Sequence, residues 1–454
     1  MAERILTKNR MMEYFTLDGL IKMTGVEEGN LDIYVLKELI DNALDSCELE
    51  DPRPIIEIEL IEDPKDPLIH YVVTDTGPGM TDEVIKEIIN FDRFGGTKYF
   101  VKKPTRGAQG NALMTILGIP LVLASAYGYK ELLPPVKITS YDKIHTLNLK
   151  LNNILEKVEI EHSIEPTSFP LGTKIELSIP WRTSLQYTRF EKIIDSFAMW
   201  NPHASFDFQC DGQEKIFLPT TDKINKYIKS GYGSPHWYTL SDFENLLYAN
   251  IRYLEERGER ESVVNFCKNF KGGSSNKKDF TRELVKEMPK YVNDIQSKKE
   301  SKRLFLKLKE LITPPSSSIL GYIGQKHFFN VVNYYEAEEA LFKYKKISDF
   351  FPGTNIPFCL EVAAGAAKNL EERQIFFGIN NTITYHLPFE KDIFYPRNVN
   401  ERDNPGRVTG IKEILSSYKI DSRDPVMILM HLTAPNIRYE NYGKSAFETG
   451  GFRE

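Results

Sequence analysis

The chain has 454 residues, of which 41% are hydrophobic and 27% charged, and its formal net charge is −6. These proportions are typical of globular proteins, and the length predicts about three domains. The four cysteines lie far apart and the eight histidines are scattered, which argues against a disulfide-stapled secreted protein and against a clustered metal site. No charged segment followed by an apolar stretch opens the chain, so we expect a cytoplasmic protein with reduced, buried thiols.

The first candidate site lies on a helix predicted over 31–47. Apolar residues recur there at a spacing near 3.6, which leaves Glu38, Asp41, Asn42 and Asp45 on adjoining faces. Glu38 and Asn42 are one turn apart and point the same way. An amide oxygen suits Mg²⁺, and a carboxylate one turn away can deprotonate an attacking water. The pattern therefore predicts Asn42 as a magnesium ligand and Glu38 as a general base, with an ordinary helix that has a polar outer face as the alternative.

The second candidate lies at the end of a short predicted strand. Residues 71–73 are β-prone, and the run ends at Asp75, after which Gly77 and Gly79 favour a turn with unusual dihedrals. A carboxylate in this position can accept the amino proton of adenine while the glycines let the base approach the backbone. A plain turn is the alternative, since aspartate and glycine are common in turns.

A third candidate is a glycine-rich loop before a helix predicted over 111–118. Backbone amides at such a loop form a site for phosphate. Residues 95–98, Gly-Gly-Thr-Lys, add a second loop with a hydroxyl and a cation, which could equally be a surface turn. The predicted phosphate-binding residues are Thr97, Lys98, Arg106, Gly107, Ala108, Gln109, Gly110, Asn111, Ala112 and Leu113.

The span 107–129 carries no charged residue and is long enough to cross a bilayer. Its polar residues, proline and glycines instead predict a buried loop, helix and strand, and we expect no membrane contact. Alternating patterns over 136–179 indicate half-buried antiparallel strands. With the helices predicted at 31–47, 81–90 and 111–118, these strands would form an α+β sandwich.

The order of these motifs resembles the GHKL superfamily, which includes gyrase, heat-shock chaperones, histidine kinases and MutL. The sequence Leu171-Gly172-Thr173-Lys174 completes the pattern. The resemblance implies a Bergerat-type ATPase fold with ATP and Mg²⁺ as cofactors, and it places Thr173 near the adenine and Asp45 among the nucleotide-binding residues. No Walker-type Gly-x₄-Gly-Lys-Ser/Thr string occurs.

From about 240 to 312 the pattern changes to helices, which we predict over 246–255, 263–270, 281–288 and 301–312. Between Cys267 and Glu310 the sequence has 13 Lys and Arg residues against 6 Asp and Glu residues. A basic segment in an acidic chain favours contact with the phosphates of double-stranded DNA, although a solvated lysine-rich face has equal weight. The candidate contact residues are Lys298, Lys299, Lys302 and Arg303.

Segments after the helices narrow the resemblance to the B-subunit family of topoisomerase VI, the type IIB topoisomerases. They are the Pro-Pro-x₄-Leu-x₂-Ile-Gly signature within 313–324 and the segments 357–363, 376–381 and 427–432. The family implies three domains: a GHKL ATP-binding domain with an N-terminal strap over 1–235, a helical helix–two-turn–helix domain over 236–316, and an α/β transducer domain of ribosomal-S5-like type over 317–454.

The resemblance also implies an activity and partners. The chain would hydrolyse ATP, dimerise on ATP with residues 11–15 crossing to the partner copy, and gate DNA passage or cleavage by an A-type Toprim subunit in a heterotetramer. Lys444 lies in a stretch similar to the one in which the family carries a lysine that reaches the γ-phosphate. The family's long C-terminal docking helix is not expected after it.

Two other functions stay open. One is a GHKL ATPase that acts as a DNA clamp or regulatory subunit without strand passage, as in mismatch repair or in DNA-break and defence complexes. The other is a scaffold that keeps the nucleotide pocket without hydrolysing ATP.

Overall fold

The computed structural model describes the chain in twelve segments. They are residues 10–49, 53–63, 65–91, 96–107, 112–152, 154–169, 171–222, 225–227, 231–273, 278–384, 411–437 and 439. Two β-sheets are separated in sequence by a helical region.

The strands and helices follow one another along the chain as the sequence patterns indicate. The strands are β1 Ile55–Glu62, β2 Leu68–Asp75, β3 Val136–Ser140, β4 Lys143–Asn152, β5 Lys157–Pro166, β6 Thr173–Pro180, β7 Ser205–Cys210, β8 Gln213–Phe217, β9 Lys343–Phe350, β10 Pro357–Ala366, β11 Gln374–Ile379, β12 Thr382–Ile383 and β13 Val426–Thr433. The helices are α1 Leu17–Thr24, α2 Leu31–Cys47, α3 Asp82–Ile88, α4 Thr97–Phe100, α5 Ala112–Tyr127, α6 Tyr187–Trp200, α7 Leu240–Glu256, α8 Val263–Lys268, α9 Lys278–Glu287, α10 Lys298–Leu311, α11 Gln325–Asn333 and α12 Ile411–Ser417.

The first sheet has eight strands in the order β5-β4-β3-β6-β2-β1-β7-β8. All neighbours are antiparallel except β1 and β7, which are parallel. Residues of β1 alternate between exposed and buried, as expected for a sheet with helices on one face. Helices α2, α5 and α6 share one hydrophobic core with this sheet. The predicted α+β sandwich is confirmed, and its four antiparallel strands between 136 and 180 lie where the alternation places them.

Helix α5 differs from the prediction. A single helix runs from Ala112 to Tyr127 and contains Pro120, so the strand expected after residue 118 is wrong. The segment is apolar on every face, and such a run has no periodicity by which to separate helix from strand. In the part of the chain that the structure describes, no helix is both long and apolar enough to cross a membrane.

The segment before α1 is part of the hydrophobic core. Arg10–Phe15 forms a 3₁₀ helix, and the side chains of Tyr14 and Phe15 are buried against α5 and the ring of Phe91. Residues 11–15 therefore contribute to the core of their own chain, and their contact with a partner copy stays a prediction.

The helical region has a core of its own, in which aliphatic residues surround aromatic ones such as Trp237, Phe243 and Phe266. Helices α7 and α10 both begin with a capping box, formed by Thr239 with Asp242 and by Ser297 with Glu300. The four helices predicted in this region are present, with ends that differ by a few residues.

The second sheet has the order β12-β11-β13-β10-β9, with β11 and β13 parallel. One face packs against α12 in a separate small core. Residues of α11, β10 and β13, including Phe328 and Ala363, join the core of the first sheet instead. Helices α6 and α11 pack on the second sheet and link it to the core of the first. All four cysteines are buried and unpaired, as predicted.

Candidate functional site

Helix α2 carries a buried ionic cluster on the side chains of Lys37, Glu38 and Asp41. Lys37 Nζ lies 2.7 Å from Glu38 Oε1 and 2.9 Å from Asp41 Oδ2. Lys37 is 0% exposed, Glu38 1% and Asp41 2%. Opposite charges in contact offset the cost of removing each from water. The alternative of a helix with a solvated polar face is therefore wrong. Glu38, the predicted base, is buried and paired with Lys37.

Asp75 ends β2 and is paired in register with Thr173 at the start of β6. The backbone N–H of Gly77 donates to Asp75 Oδ1 at 2.8 Å, and the thiol of Cys47 approaches the same oxygen at 3.9 Å. Burial raises the pKa of Asp75 to about 6. A carboxyl group at a strand end, beside a buried hydroxyl, can accept from one amino group of a ligand.

Glycine brings the end of β2 against the last turn of α2. A Cβ on Gly77 would lie 2.7 Å from Ser46 Oγ and 3.1 Å from Cys47 N, closer than side-chain atoms pack. Asn42 lies one turn before Ser46 on the same helix. The predicted magnesium ligand and the predicted adenine-binding carboxylate therefore belong to one region of the fold.

A second close approach shapes the other wall. Gly172 has φ +94°, and a Cβ there would lie 1.7 Å from Asp75 O, so this position accepts glycine alone. Gly79 also has a positive φ in the turn that follows β2. The turn before β6 can thus lie directly against the Asp75 backbone, which positions Thr173.

Two polar atoms in this region have no hydrogen-bond partner among the residues that the structure describes. They are Thr173 Oγ1 and Asn42 Nδ2, both inaccessible to solvent. Buried polar groups in folded proteins are nearly always paired. Thr173 is in register with Asp75, and Asn42 follows Glu38 by one turn of α2. The amide oxygen of Asn42 is of a type that binds Mg²⁺.

Arg106 has a different role from the one predicted. Its Nε donates to Asn381 O at 3.1 Å, Nη1 to Asp45 at 2.9 Å and to Glu48 at 2.8 Å, and Nη2 to Glu48 and Asn201. A guanidinium has five N–H donors, and all five are used. The expectation that Arg106 contacts phosphate is therefore wrong. Asp45 is a partner of Arg106, and its contact with nucleotide stays a prediction.

Glu48 is the centre of this network and was not predicted. His203 Nε2 and Lys226 Nζ each lie 2.8 Å from its carboxylate. Burial opposes the charge of Glu48, but Arg106 and Lys226 beside it hold its pKa well below the usual range. Burial also lowers the pKa of His203 and Lys226. The partners come from distant parts of the sequence, and no local pattern marks them.

The remaining predicted phosphate ligands are only partly within the described residues. Thr97 and Lys98 begin the short helix α4, and Gly107 ends a described loop. Ala112 and Leu113 begin α5, the former half-buried and the latter buried. Four loop residues and the predicted γ-phosphate lysine lie outside the described residues: Ala108, Gln109, Gly110, Asn111 and Lys444. Their roles stay predictions.

The four candidate DNA-binding residues, Lys298, Lys299, Lys302 and Arg303, are exposed on the first turns of α10. Arg303 Nη2 lies 3.5 Å from Glu287, and Lys307 of the same helix lies 3.1 Å from that carboxylate. Acidic neighbours thus offset part of the local positive charge. Among the described residues the three lysines have no ion pair, so they are available to an anionic partner.

Sequence comparison relates the chain to archaeal proteins, although no family model matches it. The B subunit of type 2 DNA topoisomerase 6 from Natronomonas pharaonis is 32% identical over 253 residues, which cover 54% of this chain and 29% of that protein. The Archaeoglobus fulgidus protein of the same name is 28% identical over 51% of this chain and 38% of its own length. The Sulfurisphaera tokodaii protein is 23% identical over 442 residues, 90% of this chain and 74% of the relative. The first two matches span well under half of each relative.

Among solved structures, the ATPase region of Saccharomyces cerevisiae topoisomerase II bound to dexrazoxane aligns with 91% of this chain and 76% of its own, at 12% identity and a TM-score of 0.38. The 43K ATPase domain of Thermus thermophilus gyrase B aligns at 11% identity with the same TM-score. Structural alignments with so low an identity and TM-score do not show a shared function.

The eight-stranded sheet covered by α2 and α5 makes the protein an α+β sandwich, with the motif residues 38–42 on α2, 75–79 at and after the end of β2 and 172–173 at the start of β6. The chain is similar in sequence to topoisomerase VI B subunits, so the predicted resemblance is confirmed.

Proposed function

We propose that the chain is the ATP-binding and ATP-hydrolysing subunit of a type IIB topoisomerase-like complex. The observation that carries this proposal is the buried carboxyl group of Asp75 at the end of β2, which lies in register with Thr173 and against the last turn of α2 through Gly77. In the same region, Thr173 Oγ1 and Asn42 Nδ2 have no hydrogen-bond partner among the described residues.

Each residue of this region has a distinct task in the proposal. Asp75 accepts from the amino group of adenine, and the hydroxyl of Thr173 contacts the same base. The oxygen of Asn42 would hold Mg²⁺, which when bound neutralises charge on the phosphates. Gly77, which has no side chain, lets the turn after Asp75 lie against the last turn of α2.

Glu38 is the proposed general base. It lies one turn before Asn42 on α2, and a carboxylate in this position can take the proton of an attacking water. Lys37 Nζ, 2.7 Å from Glu38 Oε1, fixes the orientation of that carboxylate. Holding the base in one geometry lowers the entropic part of the barrier. The proposal adds Lys444 as a cation that neutralises the γ-phosphate.

The proposal extends to partners that the names of the topoisomerase 6 relatives suggest. Two copies of the chain would associate when ATP binds, and an A-type subunit would cut double-stranded DNA. The chain itself would supply no nucleophile for DNA cleavage. Co-purification with a Toprim-containing protein would support this assembly over a clamp that acts without a cleaving partner.

The test of nucleotide binding compares Asp75→Asn with Asp18→Asn. Asp75 is buried at the candidate site, whereas Asp18 is exposed on α1. Calorimetric titration with ATP and Mg²⁺ should show that the wild type binds ATP. The affinity of Asp75→Asn for ATP should be at least about tenfold lower, because the carboxylate acceptor is lost. The affinity of Asp18→Asn should equal that of the wild type. Equal affinity of all three proteins would refute the pocket assignment.

A further inference from the structure

Strands β11 and β12 are joined by a tight turn. Ile379 pairs with Thr382, so Asn380 and Asn381 are the two residues of the loop. Their φ angles are +50° and +65°. A two-residue hairpin turn of this kind requires positive φ at both positions, and asparagine tolerates this better than other residues with side chains. The two asparagines therefore determine the shape of the turn.

This turn of the second sheet is buried against the first. Asn381 O accepts from Arg106 Nε and from Asn201 Nδ2, each at 3.1 Å, and Asn381 Nδ2 donates to Trp200 O at 2.7 Å. A Cβ on Gly378 would lie 2.7 Å from the indole of Trp200, so β11 lies directly on that ring. These contacts fix the position of the turn relative to the first sheet.

The residue after the turn reaches the candidate catalytic helix. Thr382 Oγ1 donates to Asp41 Oδ2 at 2.8 Å, although the two residues are 341 positions apart in sequence. The same carboxylate oxygen accepts from Lys37 Nζ at 2.9 Å, and Lys37 contacts Glu38 at 2.7 Å. Thr382 is 0% exposed, and no residue of the series exceeds 2%. Four side chains thus form a continuous buried path from the second sheet to the proposed base.

We propose that Thr382 is a positioning residue for hydrolysis: its hydroxyl holds Asp41, Asp41 holds Lys37, and Lys37 orients Glu38. This inference rests on the proposed ATPase function. The hydroxyl selects one orientation of the Asp41 carboxylate, and that orientation determines where Lys37 Nζ lies between its two acidic partners. A displacement of the Asn380–Asn381 turn would move the base without touching the nucleotide, which couples the second sheet to turnover.

The experiment compares the variants Thr382→Val, Thr382→Ser and Thr384→Val. Valine removes the hydroxyl at nearly constant volume, whereas serine keeps it. Thr384 is the matched control, because its buried hydroxyl has no hydrogen-bond partner among the described residues. Thr382→Val should lower kcat about tenfold, the effect of one lost hydrogen bond to a charged group. Affinity for ATP should stay within about twofold, since the pocket is unchanged. Thr382→Ser should restore turnover, and Thr384→Val should match the wild type.

The outcomes separate this inference from the function on which it rests. Wild-type protein that neither binds nor hydrolyses ATP would overturn both. Turnover by Thr382→Val equal to that of an active wild type, or a loss that serine does not restore, would overturn the positioning role alone. A second variant, Thr382→Ala, serves if valine prevents folding, as judged by thermal melting. In a double-mutant cycle, the Thr382 substitution should not lower kcat further when Asp41→Ala is already present. Additive losses in kcat would contradict the path through Asp41.

Discussion

Two buried polar regions of the molecule differ in how many of their hydrogen-bonding groups have partners. One is the region around Asp75, and the other is the network around Arg106. Beside Asp75, the buried atoms Thr173 Oγ1 and Asn42 Nδ2 lack partners among the described residues. Around Arg106, all five guanidinium donors are paired, and Glu48 accepts from Arg106 and Lys226 and lies 2.8 Å from His203 Nε2.

This contrast distinguishes the proposed ligand site from the network around Arg106, although both are polar and buried. A complete network has no capacity for a further partner, and it stabilises the position of α2 against the second sheet. An incomplete one is a cost to the folded protein that a ligand can offset. Substitutions in the two regions should therefore change different measured quantities: ligand affinity and turnover in one, stability in the other.

The largest effect should come from Glu38→Gln. Glutamine keeps the size of the side chain but cannot take a proton from water, so turnover should fall by about 10²–10⁴-fold while ATP affinity is retained. Glu27→Gln, an exposed site just before α2, is the control. A phosphate-release assay and a binding titration on the same samples measure both quantities. Unchanged turnover would remove Glu38 from the mechanism.

Arg106→Met should act on stability. It removes the guanidinium that pairs with the buried carboxylates of Asp45 and Glu48, so the free energy of unfolding should fall by about 3–5 kcal/mol. Urea denaturation measures the loss, and the exposed Arg303→Met gives the matched control, with a change within about 0.5 kcal/mol. A loss below about 1 kcal/mol for Arg106→Met would show that the network does not stabilise the fold.

The pH dependence of ATP affinity should show whether the carboxyl group of Asp75 binds the nucleotide. Because burial raises the pKa of Asp75 to about 6, this carboxyl group gains a proton as the pH falls through that value and loses the charge with which it accepts from adenine. Affinity should decline about tenfold per pH unit below that pKa. Protonation of the nucleotide phosphates affects binding to the wild type and to Asp75→Asn equally, but the variant lacks the carboxyl group. The affinity of the wild type for ATP should therefore decline more steeply than that of the variant. Parallel curves would exclude Asp75 as the titrating group.

The smallest effect concerns the exposed surface of α10. Changing the four residues Lys298, Lys299, Lys302 and Arg303 to glutamine should reduce the slope of log affinity for DNA against log salt by about 0.9 for each phosphate that is no longer neutralised. The control is a set of four exposed lysines elsewhere, Lys326, Lys343, Lys345 and Lys368. A slope that falls equally in both sets would mean that α10 is only a solvated face.

How much of this could be predicted from sequence depends on the range of the contacts. Helix α2 was predicted with its observed ends, because apolar periodicity is local. Asp75 was correctly expected at a strand end, since a β-prone run and glycines are adjacent in sequence. The positions of Glu38, Asn42 and Thr173 followed from motif order, and the roles of these residues stay proposals.

The errors share a physical cause. The role of Arg106 depends on Glu48, Asn201 and Asn381, which lie 58, 95 and 275 residues away, and without them an arginine beside a glycine is typical of a phosphate-binding loop. The path from Thr382 to Asp41 could not be predicted, because it forms only when the two sheets pack together.

Hydrogen–deuterium exchange of the whole chain, with and without ATP and Mg²⁺, would show whether the pocket around Asp75 binds nucleotide. We expect protection in α2 from 38 to 47, at the end of β2 from 75 to 79 and at the start of β6 around Thr173. Little change is expected around Glu48 and Lys226, whose hydrogen bonds are already made. Protection confined to other regions, or none at saturating ATP, would contradict nucleotide binding in this pocket.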